Sequence, residues 1–168
     1  MLLELGKIID QPGGVVPFSC EMDFSELDFG GSRPASEPVL AVGQVRNEAG
    51  VLVFTAAVDT VLHCVCDRCA SPFDRPFHLD AEAILVQELM DEQNEDERTF
   101  LLQGDAADLD EIITTVFVLN MDSKFLCRED CKGLCAACGK NLNDGPCSCK
   151  AEPDPRLAVL AQLLKDKE

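Results

Sequence analysis

The clustering of cysteines is the strongest constraint on how this chain folds. Ten of its 168 residues are cysteine, and six of them fall within the 23 residues from Cys127 to Cys149. So short a segment cannot build a hydrophobic core of its own. The first residues lack a basic leader followed by an apolar run, so we expect a cytoplasmic, reducing compartment. Clustered thiols in such a compartment are typically metal ligands rather than disulfides.

The spacing of these cysteines predicts two metal sites. A pair separated by two residues can place both thiolates on one ion from a tight turn, and zinc takes four such ligands at tetrahedral corners. Asp144-Gly145-Pro146 is typical of a turn that brings the chain back on itself. The C-terminal cluster therefore comprises Cys135, Cys138, Cys147 and Cys149. The remaining close pairs would form a second site, the split cluster, comprising Cys66, Cys69, Cys127 and Cys131.

Other interpretations of the thiols stay open from the sequence. One zinc ion or two would fit the spacing, and zinc is favoured over an iron–sulfur cluster because no ferredoxin spacing is present. Buried thiols without metal are one alternative. A thioredoxin-like redox role for Cys66 and Cys69 is another, but that motif belongs at a strand-to-helix turn, and the flanks here predict strands. Cys20 and Cys64 are predicted to be small core residues.

The first 105 residues show the two-residue period of β-strands. Between Val51 and Cys64 the even positions are nearly all apolar, whereas the odd positions include Asp59 and His63. Similar patterns predict further strands at residues 2–9, 15–22, 39–46 and 77–85. The segment from Asn47 to Gly50 predicts a hairpin with a longer loop. Residues 24–38 have no period and predict a loop.

Helical patterns occur only after the predicted strands. Asp108 followed by Glu111 predicts a capped helix near residues 109–120, and Asp154-Pro155 predicts the start of a C-terminal helix. We therefore predict an α+β fold: an antiparallel β-sheet domain, then a helix, a cysteine-rich zinc module and a C-terminal helix. The predicted domains are residues 1–122, mostly β with one helix, and residues 123–168, with the zinc module and the last helix.

Net charge limits the classes of partner. The chain has 14 Lys and Arg against 31 Asp and Glu, a formal charge of −17, which disfavours a large phosphate-binding surface. Half of the basic residues nonetheless lie near cysteines, where they either donate hydrogen bonds to thiolates or form a small phosphate patch. The candidate partner contacts among them are Arg68, Arg128, Lys132 and Lys140. The acidic run from Glu88 to Arg98 is either a solvated loop or an attractive surface for a basic partner.

The sequence lacks the usual marks of an enzyme or a membrane protein. It contains no His-Glu-x-x-His motif and no phosphate-binding glycine loop, and its two histidines lie on predicted strands. Zinc sites made only of cysteine are normally closed and structural. No apolar run approaches the length of a membrane span. We therefore predict no catalysis, no small-molecule substrate and no membrane contact.

Three segments of the chain resemble the YceD family. The first runs from Leu126 to Cys135 and continues through Cys138-Gly139 and Asn141-Leu142-Asn143; the others are Cys66-Asp67-Arg68-Cys69 and residues 154–160. The resemblance covers roughly residues 50–165. It implies a cytoplasmic factor in large-ribosomal-subunit biogenesis that supports accumulation of the large ribosomal RNA. The implied partner is precursor rRNA or a basic large-subunit ribosomal protein, and the net charge slightly favours the protein.

The sequence leaves two alternative functions open. The first is an enzyme, either a thiol oxidoreductase or a zinc hydrolase, which would require turnover of a thiol–disulfide substrate or a water in the zinc ligand set. The second is a regulator that senses zinc or redox state, which would require reversible loss of metal under physiological conditions.

Overall fold

The computed structural model describes residues 1–88 and 98–149, which divide into two compact units. The first unit comprises Met1–Cys64 and Phe73–Ser123. The second comprises Val65–Pro72 and the described residues from Lys124 onward, so it takes in a segment that lies within the predicted first domain. The predicted C-terminal helix and most of the acidic run lie outside the described residues.

The described part of the chain is mostly β-sheet with one α-helix. The strands are β1 (Leu2–Glu4), β2 (Val15–Met22), β3 (Val39–Glu48), β4 (Val51–Val65), β5 (Pro72–Val86), β6 (Thr99–Leu101) and β7 (Ala106–Asp108). The helix, α1, is Leu109–Leu119, and a short 3₁₀ turn is Leu142–Asp144. Five strands form one sheet in the order β2-β3-β4-β5-β6, and β1 pairs with β7 in a separate antiparallel sheet.

The two-residue period correctly identifies the buried face of β4. Its even-numbered residues from Leu52 to Val58 are buried, as are Leu62 and Cys64. The sheet differs from the predicted antiparallel one at its edge, where β6 pairs parallel with β5. Residues 87–98 separate these two strands, and a connection of that length permits a crossover to parallel pairing.

The hairpin between β3 and β4 turns over two residues rather than through the predicted longer loop. Strand pairing leaves only Ala49 and Gly50 in the turn, with φ of +53° and +99°, the backbone of a type I′ turn. Asn47 holds this turn, because its Oδ1 accepts from the Gly50 N–H at 2.8 Å. Its side-chain amide donates to the carbonyls of Ile8 and Ile9, each at 2.7 Å, so this buried residue also ties the turn to the N-terminal segment.

Helix α1 packs on one face of the five-stranded sheet. Its Phe117 ring lies 5.0 Å from the ring of Phe77 on β5 and 4.8 Å from that of Phe24, measured between centroids. The side chain of Asp108 accepts from the Asp110 N–H and caps the helix, as predicted. The face that meets Phe117 is called the inner face, and the opposite one the outer face. None of the helices in the described part of the chain has the length and apolar content that a membrane crossing requires.

Gly43 lies where β3 approaches β4 too closely for a side chain. A Cβ there would overlap the carbonyl oxygen of Thr55 and lie 2.8 Å from the Cα of Ala56, and neither backbone atom can rotate away. We predict that Gly43→Ala lowers the free energy of unfolding by about 3 kcal/mol. Gly6→Ala is the control, because its Cβ meets only Asp105 at 3.5 Å or more, and it should cost less than about 0.5 kcal/mol. Equal denaturant midpoints for the two variants would contradict the prediction.

Candidate metal centres

Four thiols of the second unit come together in the split cluster. The sulfur atoms of Cys66, Cys69, Cys127 and Cys131 all lie within 4.8 Å of one another. The Cys66 and Cys131 sulfurs are 3.8 Å apart, and the Cys69 and Cys127 sulfurs 3.7 Å apart. A disulfide would bring two sulfurs to about 2.05 Å, whereas a thiolate tetrahedron with metal–sulfur bonds of about 2.3 Å has edges of about 3.8 Å. The cluster therefore has the dimensions of a four-thiolate metal centre.

A tight turn between β4 and β5 presents the first pair of the split cluster. The N–H of Cys66 donates to the carbonyl of Ser71 at 2.9 Å, and the N–H of Ala70 donates to the carbonyl of Cys66 at 2.8 Å. Ala70 takes up the left-handed backbone of the turn, with φ of +54°. The turn joins two strands rather than a strand and a helix, so Cys66 and Cys69 do not lie in a thioredoxin-like context.

Asp67 and Arg68 tie this turn to the segment that supplies the other pair. The N–H of Asp67 donates to the Phe125 carbonyl at 2.9 Å, and the N–H of Phe125 donates to the Asp67 carboxylate at 2.6 Å. The Arg68 guanidinium donates to the carbonyls of Glu129 and Cys131, at 3.2 and 3.1 Å. Arg68, a predicted partner contact, therefore makes structural contacts around the split cluster.

The C-terminal cluster is a second set of four thiols within 4.8 Å of one another, comprising Cys135, Cys138, Cys147 and Cys149. The carbonyl of Cys135 accepts from the N–H of Gly139 at 2.8 Å, which closes a turn around the first pair. Gly139 has φ of +73°, the left-handed backbone that glycine favours. Cys138 and Cys149 are exposed here, whereas three of the four thiols in the split cluster are buried.

Asn143 links the loop of the C-terminal cluster to the split cluster. Its amide donates to the sulfur of Cys131 at 3.3 Å, and its Oδ1 accepts from the Lys132 N–H at 2.8 Å. The same amide donates to Asn141, whose own amide donates to the Ser71 hydroxyl. Such hydrogen bonds orient a metal ligand. Sequence reasoning used these two asparagines only for the family resemblance, although their place between cysteine pairs was a usable signal.

Hydrogen bonds and neighbouring thiols shift the pKa values in the split cluster. Burial would raise the pKa of Cys66, but backbone N–H groups, led by that of Cys127, outweigh it and hold the pKa at about 6. The Asn143 amide lowers the pKa of Cys131. Burial and the neighbouring sulfurs raise the pKa of Cys127 to about 12. Full ionisation of the cluster therefore requires a cation, which is what a bound metal supplies.

The thiols of the C-terminal cluster also differ in the direction in which their pKa values are shifted. The N–H of Cys149 leads the hydrogen bonds that lower the pKa of Cys147 to about 7. The Cys147 and Cys138 sulfurs in turn raise the pKa of the Cys149 thiol to about 12. Each cluster thus contains one thiol that ionises near neutral pH, and the resulting thiolate is the form that binds metal. Each cluster also contains one thiol that ionises near neutral pH only when a cation lies beside it.

The other predicted partner contacts lie on the second unit, each in its own setting. The guanidinium of Arg128 lies 3.5 Å from the Asp130 carboxylate, with both side chains exposed. The ammonium of Lys140 donates to the Pro146 carbonyl at 3.2 Å. Lys132 is exposed. Their binding to a partner stays a prediction. Cys20 and Cys64, predicted to be core residues, lie in the first unit, half-buried and buried respectively.

Comparison with known proteins gives one matching family and several relatives. The family model "Large ribosomal RNA subunit accumulation protein YceD" matches residues 54–164. The "Large ribosomal RNA subunit accumulation protein YCED homolog 1, chloroplastic" of Zea mays is 26% identical over 169 residues, covering 83% of this chain and 57% of the relative. Uncharacterized proteins of Mycobacterium bovis and Mycobacterium tuberculosis are each 31% identical over 118 residues, covering 68% of this chain and 56% of theirs. The chain thus spans little more than half the length of these relatives, and no solved structure matches it.

Separate clusters predict that loss of one ligand removes one ion and spares the other. The unaltered protein should carry two metal ions per chain, and Cys149→Ser should carry one, because the split cluster keeps all four ligands. Cys66→Ser should also carry one ion. Cys20→Ser is the control and should keep both. Metal analysis of protein purified under reducing conditions gives these counts, and equal content in Cys149→Ser and Cys20→Ser would contradict the C-terminal site.

Proposed function

The chain belongs to the YceD family, and from that premise we propose that it is a non-enzymatic, zinc-binding factor that supports accumulation of large-subunit ribosomal RNA. It acts in the cytoplasm during assembly of the large subunit, by binding precursor rRNA or a basic large-subunit ribosomal protein. One observation carries the proposal: all eight cysteines of the two clusters lie within the segment that the family model matches.

Zinc is the metal that we assign to both clusters. Four thiolates at tetrahedral corners are a usual structural zinc site, and the sulfur separations of 3.7 and 3.8 Å in the split cluster suit zinc–sulfur bonds of about 2.3 Å. Bound zinc would supply folding free energy to the second unit rather than reaction chemistry. The residues that would hold it are the eight clustered cysteines, with Asn143 orienting Cys131.

The ligand count supports a structural rather than a catalytic role for the proposed zinc ions. Four protein thiolates around one zinc leave no open position for a water or a substrate, which a catalytic zinc site keeps. The polar groups beside the split cluster are also engaged in holding its loops. Asp67 and Arg68 bond to backbone groups, and Asn143 bonds to a thiol. These contacts favour an assembly factor over a hydrolase or a thiol oxidoreductase.

The charge distribution favours a basic protein over rRNA as the direct partner. The described residues of the second unit carry five basic and four acidic side chains, and each zinc–tetrathiolate centre adds a charge of about −2. Arg68 and Lys140 donate to backbone carbonyls, which reduces the cationic surface left for phosphate. A formal charge of −17 over the whole chain attracts basic proteins.

Sedimentation tests this proposal. We predict that the unaltered protein sediments with large-subunit precursors from growing cells and that added salt releases it, because the contacts are electrostatic. The Arg128→Glu, Lys132→Glu variant assigns the partner class: loss from these fractions with zinc retained indicates rRNA, and retention indicates a protein. Lys7→Glu, Arg33→Glu is the control, with the same change in net charge on the first unit. Unaltered protein that never enters the precursor fractions would contradict the proposal.

A further inference from the structure

The outer face of the five-stranded sheet exposes several large apolar side chains to water. Leu40 and Val42 of β3 are 50% and 57% exposed, and Ile84 of β5 is 40% exposed. A sheet with one face on the core normally presents polar side chains on the other. Leu40 and Val42 occupy alternate exposed positions of β3, and exposed apolar side chains grouped beside polar residues often mark a site of interaction. The outer face is therefore a candidate docking surface.

A groove of about 500 Å³ lies along β4 on this face. Thr55 and Ala57 have short side chains and pair across the sheet with Gln44 and Val42 of β3. The side chains that define this outer groove are Val42, Gln44, Thr55, Ala57, Asp80 and Glu82. The small residues of β4 thus form the floor of the groove. One side of the groove carries the apolar Val42 of β3, and the other side, the acidic wall, is formed by Asp80 and Glu82 of β5.

The acidic wall is accessible to a partner. Asp80 and Glu82 are both exposed, and the Asp80 side chain is 88% exposed. At one end of the groove the His78 ring lies between the carboxylates of Asp59 and Asp80, at 2.7 and 3.5 Å. At the other end Arg46 lies two residues beyond Gln44 on β3. Along the groove itself the carboxylates of Asp80 and Glu82 are the charged lining groups.

We propose that the outer groove binds a basic segment of a protein partner. Apolar side chains of that segment pack against Val42 and Ala57, and its Lys or Arg side chains pair with Asp80 and Glu82. Charge complementarity selects this partner: carboxylates repel the phosphates of RNA, and a second copy of this chain carries the same charge of −17. The proposal rests on the proposed function only for the source of the segment, a large-subunit ribosomal protein.

Photocrosslinking tests the groove directly. The full-length, metal-loaded chain carries the photoreactive residue p-benzoylphenylalanine in place of Thr55, and is mixed either with purified large-subunit ribosomal proteins freed of rRNA or with protein-free large-subunit rRNA. We expect crosslinks to a basic protein, whose yield falls about tenfold in Asp80→Asn, Glu82→Gln. The control Glu4→Gln, Glu111→Gln removes the same charge from exposed positions of the same unit and should keep the yield.

Ala57→Arg, which places a long cationic side chain in the groove lined by Asp80 and Glu82 and so reduces its negative charge, provides a second variant and should also lose the crosslink. Crosslinks to rRNA alone, crosslinks to another part of this chain, or equal loss in the control would each overturn the proposal. Sedimentation with large-subunit precursors distinguishes failure of the groove proposal from failure of the proposed function. If the chain sediments with precursors but crosslinks only to RNA, the groove proposal is contradicted and the proposed function is not. If the chain crosslinks to a basic protein but does not sediment with precursors, the proposed function is contradicted and the groove proposal is not.

Discussion

Four thiolates can share a space less than 5 Å across only if a cation neutralises them, and the second unit depends on this constraint. Its described buried apolar residues are three ligand cysteines and Phe125. These described residues form no conventional core, and we propose that a bound ion supplies the cohesion that apolar burial supplies elsewhere. Burial and the neighbouring sulfurs raise the pKa of Cys127, and the sulfurs of Cys147 and Cys138 raise the pKa of Cys149, so gathering these thiols opposes their ionisation.

The first unit is stabilised differently, by a conventional hydrophobic core. Phe54 and Phe117 are fully buried there, and α1 packs through Phe117 onto the inner face of the sheet. We therefore propose that metal stabilises the second unit rather than the first. The residues that line the outer groove belong to the first unit and the two cysteine clusters to the second, so a partner could bind the outer face whether or not the zinc centres take part in binding. A ribosome-assembly role thus has two candidate surfaces with opposite charge, the acidic groove and the basic residues near the cysteines.

Local patterns were enough to predict much of this arrangement, and long-range contacts account for the rest. The alternation in β4, the cap at Asp108 and the C-terminal cluster are all properties of short segments. The split cluster joins pairs that lie far apart in the sequence, and it was predicted because these were the two close pairs left over. The two-residue turn after Asn47 was missed because alanine, which occupies position 49 with a φ of +53°, is uncommon in such a turn. The contacts of Asn47 with carbonyls 38 and 39 residues away were missed because they are long-range. The same is true of Arg68, whose carbonyl partners lie 61 and 63 residues along the chain.

X-ray absorption at the zinc edge, on protein purified under reducing conditions, tests the two zinc–tetrathiolate centres most directly. The predicted spectrum has a first shell of sulfur alone, four atoms per zinc at about 2.3 Å, with two zinc ions per chain by mass. A shell that contains nitrogen or oxygen would place a histidine, carboxylate or water on the metal and would indicate an open site. That result, or protein that folds its second unit with less than one zinc per chain, would contradict the structural role assigned to the clusters.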